Sequence, residues 1–115
     1  MNKELIINTY EENTLLFKEN LLGIFKNNIL QYENETDAFK INVANQTLEK
    51  ENLESLLKIS PHEALITLKE INQSFELKIK KYNFSCEKNK ITLEYLLESH
   101  EQPLKIEIEM SDISA

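Results

Sequence analysis

The chain has 115 residues, of which 41% are hydrophobic and 29% charged, enough for one domain with its own core and too apolar for disorder. All 13 cations are lysine and face 20 carboxylates, for a net charge of -7, which argues against nucleic acid and anionic membrane as partners. The single cysteine permits no intrachain disulfide, and the single glycine permits neither a P-loop nor a dinucleotide-binding fingerprint.

At the N-terminus only three apolar residues, Leu5-Ile6-Ile7, follow Met1-Asn2-Lys3-Glu4, whereas a secretory core needs roughly 7–15. No run approaches the ~20 apolar residues of a membrane helix. With the bias towards Asn, Lys, Ile and Glu, this predicts a cytoplasmic bacterial protein.

Glu4–Tyr10 reads as a strand with Leu5 and Ile7 on one face. Residues 13–25 admit two readings. Phe17, Leu21, Ile24 and Phe25 fit a helix face, while Phe17, Leu21 and Phe25 also share a strand face, with Gly23 at a bend or bulge. Strand is the choice consistent with the surrounding meander. Lys26-Asn27-Asn28 predicts a hairpin turn into Ile29–Glu33, and Phe39–Val43 alternates before a turn at Asn45-Gln46. Residues 48–59 hold either a short helix around Leu53, Leu56 and Leu57 or another strand.

From there period-2 alternation dominates. It runs through Ala64, Ile66 and Leu68, through Phe75, Leu77 and Ile79, through Ile91, Leu93, Tyr95 and Leu97, and through Leu104–Met110. Such alternation marks antiparallel strands with one wet and one buried face, and the short polar connectors suit neighbouring strands. The apolar parity switches between Ile79 and Tyr82, Phe84 and Cys86. Lys80-Lys81 is therefore expected to be a bulge, or the bend of one long strand, with Ile79 and Tyr82 both pointing inward. The expectation is a single all-β domain over residues 1–115, an antiparallel β-barrel of about eight or nine strands in up-and-down order.

Leu22-Gly23-Ile24-Phe25-Lys26-Asn27-Asn28, Ile66–Lys69, Phe75–Ile79 and Ile91–Tyr95 resemble the pattern of the DUF1934 family of small bacterial proteins. The resemblance covers nearly the whole chain and rests on strand order and spacing. One departure is Asn72-Gln73-Ser74, where the family often has glycine. The resemblance implies a lipocalin-like, calycin-type barrel, and it brings no activity and no catalytic residues.

Few residues suggest chemistry. His62-Glu63 starts like a zincin motif, but the required second histidine is Ile66, and His100 lies in a polar loop, so no metal site is expected. Cys86 shares parity with Tyr82 and Phe84 and reads as a half-buried core thiol. Glu107 and Glu109 alternate with apolar residues and should face water. Lys78, Lys80 and Lys81 suit pairing with glutamates on neighbouring strands.

No catalytic residue, metal ligand or cofactor is therefore assigned, and the expected protein is not an enzyme. Two readings of function follow. In the first, aromatic residues inside the barrel bind a small apolar or amphipathic molecule, with Tyr hydroxyls as its polar contacts; at this length a barrel filled by its own side chains is the default. In the second, the acidic outer surface meets a basic protein partner. Ligand-binding residues are not identifiable from spacing alone.

Overall fold

The structure, a computed structural model, describes residues 2–113. It is all-β, as the alternation requires. In chain order the strands are β1 (Asn2–Glu11), β2 (Thr14–Lys26), β3 (Ile29–Glu33), β4 (Ala38–Asn42), β5 (Thr47–Glu51) and β6 (Ser55–Ile59). They continue as β7 (Ala64–Leu68), β8 (Gln73–Leu77), β9 (Ile79–Glu87), β10 (Lys90–Leu97) and β11 (Leu104–Asp112). All pair antiparallel in one nearly closed, barrel-shaped sheet of order β8-β7-β6-β5-β4-β3-β2-β1-β11-β10-β9. The first strand pairs with the last, Ile7 opposite Ile108, so the meander is continuous across the two ends of the chain.

The described residues thus hold eleven strands where eight or nine were expected. Two predicted runs divide. Residues 48–59 form β5 and β6, because Asn52 turns the chain: its Oδ1 accepts from the Glu54 and Ser55 amides, both at 2.9 Å. That side-chain acceptor offers the backbone a turn in place of a helix. Residues 14–25 lie in β2 and Asn13 in the turn before it, so neither ambiguous segment is helical.

The second division is at Lys78. β8 and β9 follow one another in the chain yet end the sheet at opposite edges, so this run bends across the barrel's opening. The Lys78 carbonyl accepts from the Glu98 amide at 2.8 Å. One step further, Leu96 pairs with Lys81 and Leu97 with Ile79, so Lys80 is an extra residue in β9. The parity switch is therefore a bulge, and both Ile79 and Tyr82 pack against the core.

Gly23 is neither bend nor bulge. It sits within β2, paired with Lys3 on one side and Tyr32 on the other, and the irregularity of that strand falls at Leu16. With the only glycine committed there, non-glycine residues fill the left-handed turn positions. Asn27 and Asn28 both have positive φ, 54° and 65°, as a two-residue type I′ hairpin between Lys26 and Ile29 requires.

Inward residues form rows across the strands. One row runs Phe25, Leu30, Ile41, Leu48, Ile59, Ala64 and Leu77, and its middle five are almost wholly shielded from solvent. A second wall comes from Leu5 and Ile7, Ile106, Ile108 and Met110, and Ile91, Leu93, Tyr95 and Leu97. Burial fades towards β8. Phe75, expected on a buried face, is 45% exposed, because β8 is an edge with no further strand to cover it.

Edge position also overrides parity at Cys86. Its residue faces Ile91 across the ladder, yet the thiol is exposed near the end of edge strand β9 rather than in the core. Partial desolvation raises its pKa, the opposite of an activated nucleophile.

Candidate ligand cavity

The row next to the fully buried one runs Gly23, Tyr32, Phe39, Lys50, Leu57, Ile66 and Phe75. It lies towards one end of the barrel. Tyr32 and Phe39, directly opposite on β3 and β4, stack with centroids 4.8 Å apart and planes 13° apart. Lys50, opposite Phe39 on β5, places its Nζ 5.9 Å from the centre of the Phe39 ring.

Facing them across the barrel are Ile7 and Thr9 of β1, Phe17 and Glu19 of β2, Tyr95 of β10, and Leu104 and Ile106 of β11. Between the two walls is a cavity of about 150 Å³. Its rim is the turn 34–37. Asn34 Oδ1 accepts from the Thr36 and Asp37 amides at 3.0 and 2.9 Å, and Asn34 Nδ2 donates to Glu19 Oε2 at 3.2 Å. Asn52 Nδ2 donates to Asp37 Oδ1 at 3.3 Å, tying this turn to the β5–β6 turn. The rim is thus braced by hydrogen bonds on two sides.

Burial chiefly, and then the Glu19 carboxylate, hold the Tyr32 phenol far above its ordinary pKa. Burial also raises the pKa of Tyr95. Both remain neutral donors through the physiological range. Neither phenol hydrogen-bonds to another of the described residues, and Lys50 forms no ion pair among them. No buried side-chain nitrogen or oxygen among the described residues lacks a hydrogen-bond partner, so these hydroxyls are accessible from the cavity and free to donate to a molecule placed there.

A larger groove of about 600 Å³ crosses the outer face of β2–β6, past Leu22, Ile24, Lys40, Glu49 and Leu56. It is open, and its charged lining is Glu33, Lys40, Glu49 and Glu51, so it shields a small molecule less than the barrel end does.

Other residues singled out in the sequence do not converge. His62 and His100 are both exposed on loops, and the described residues contain no cluster of three His, Cys, Asp or Glu able to hold a metal. Glu107 and Glu109 lie on the outer face, where Glu107 is 3.4 Å from Lys90 and 3.9 Å from Lys105. Lys81 pairs with Glu94 at 3.1 Å and lowers the pKa of that carboxyl. Tyr10, on the outward parity of β1, lies under Lys105 at 5.8 Å.

Tyr82 closes the barrel at the bulged strand by donating its hydroxyl to the Gln46 carbonyl in the β4–β5 turn. Burial pushes its pKa from 10.0 up to about 12. Unfolding therefore releases this proton at a lower pH than the folded state does. Stability should be complete below pH 10 and should fall as pH rises from 10 to 12. Urea titrations across that range should show the loss, and Tyr82→Phe should reduce it while leaving the share due to Tyr32 and Tyr95. An unchanged alkaline profile in the variant would place Tyr82 in solvent.

The chain matches no family model, no curated protein and no solved structure. The described residues form an eleven-stranded, nearly closed antiparallel meander with an aromatic cavity at one end.

Proposed function

We propose that this protein is a non-enzymatic β-barrel that binds a small amphipathic molecule in the end cavity. The observation that carries this reading is the set of donors with no hydrogen-bond or ion-pair partner among the described residues, Tyr32, Tyr95 and Lys50, on aromatic and aliphatic walls. A cavity of about 150 Å³ accommodates a single ring or a short chain. The donors select a polar end that accepts hydrogen bonds. Resemblance to the DUF1934 family and a cytoplasmic setting belong to the same proposal; the strand-order resemblance supports the barrel without bringing an activity.

The test is an NMR titration with benzyl alcohol and benzoate. Ring signals of Tyr32, Phe39 and Tyr95 should shift in a saturable way, and Thr9→Leu, which fills the space, should abolish the shift without lowering the melting temperature. Unchanged spectra at millimolar ligand would overturn the proposal.

A further inference from the structure

β2 is longer than its partners. It pairs with β1 from Thr14 to Ile24, but with β3 only from Gly23 to Lys26. β3 ends at Glu33 and the turn 34–37 leads the chain away. Along Thr14–Leu22 the second side of the strand therefore has no ladder partner among the described residues.

Natural sheets blunt free edges with lysines, bulges and short strands. β9 shows two of these, Lys80-Lys81 and its bulge, and β8 is short. β2 has a bulge at Leu16, near its tip, which leaves a regular ladder over Phe17–Leu22. That length matches a typical strand. Phe17 is 50% and Leu22 67% exposed.

Beside this edge runs an open groove of about 780 Å³. Its chargeable lining is Glu19, Glu33 and Glu35, with no lysine. Lys18 belongs to the opposite face of β2, on the parity of Asn8 and Ile6.

We infer that the unpaired edge of β2, Phe17–Leu22, is a strand-addition site for an extended basic and apolar segment of a partner protein. Main-chain groups of the edge bind the backbone of such a segment, Phe17 and Leu21 contact its apolar residues, and the three carboxylates attract its lysines or arginines. A second copy of this chain is the poorer occupant. Each copy carries -7, and pairing two edges brings both acidic grooves together. This inference goes beyond the cavity reading and does not depend on it.

The probes are blocked peptides of about seven residues, one alternating Val and Lys and one alternating Val and Glu. The Val/Lys peptide should bind and slow amide exchange along Phe17–Leu22. N-methylating one set of its alternate amides should abolish binding while methylating the other set should not, since a strand presents each set to one side only. Glu33→Lys combined with Glu35→Lys should weaken the Val/Lys peptide about tenfold and favour the Val/Glu peptide. Thr9→Leu, which blocks the cavity, should leave peptide binding intact, so this site and the cavity fail separately. Equal binding of both methylated peptides, protection elsewhere, or no binding at millimolar peptide would overturn the inference. So would a homodimer whose Phe17–Leu22 amides are protected.

Discussion

Ile108→Ala is expected to lower the unfolding free energy by about 2–5 kcal/mol, a large part of the ~5–15 kcal/mol that holds a domain together. Ile108 is fully shielded from solvent on β11, between Ile7 of β1 and Ile91 of β10. It stands where the first and last strands meet, so its truncation leaves a void that three strands cannot close without shifting the ladder. Urea denaturation should show a lower midpoint with an unchanged slope. Ile6→Ala, one residue along β1 on the outward parity and 37% exposed, should change stability far less. Equal costs at the two positions would mean that the inward and outward faces of β1 have been misassigned.

Gly23→Ala should destabilise the protein by about 1–3 kcal/mol, against the ordinary preference of a strand interior for alanine. A Cβ at this position would lie 2.7 Å from Leu5 Cδ1 and 3.0 Å from the Gln31 carbonyl oxygen. Leu5 is 1% exposed, so its side-chain end would have to shift within the core, and the Gln31 carbonyl, as backbone of the neighbouring strand, can give little. The cost comes from this close approach, since Gly23 does not have a positive φ. A double-mutant cycle tests it. In a Leu5→Ala background the same glycine substitution should cost little or become stabilising. Additive effects would show that the leucine is not what excludes a side chain there.

Much of the fold is legible in local pattern. Strict alternation over Leu104–Met110 and Ile91–Leu97 can bury one face only as a strand, because the side-chain period of a strand is two. The parity switch at Lys80-Lys81 is legible for the same reason: an apolar set can keep facing inward only if an extra residue enters the strand. Asn52 carries a turn signal, an amide side chain just ahead of the polar pair Glu54-Ser55, that separates β5 from β6 within the segment left open between helix and strand.

The sequence by itself determined the all-β class, the antiparallel meander, most strand faces and the absence of glycine-built nucleotide loops, because each depends on neighbours in the chain. Tertiary structure decided the rest. That β8 and β9 become the two edges determines why Phe75 and Cys86 are exposed despite inward parity, since burial depends on whether a further strand lies alongside. That β3 stops at Glu33 leaves Thr14–Leu22 of β2 paired on one side only, which no property of β2 itself encodes. The cavity arises in the same way. Tyr32, Phe39 and Lys50 meet through register across three strands, and Tyr95 reaches them only because pairing of β1 with β11 brings the end of the chain around to its beginning.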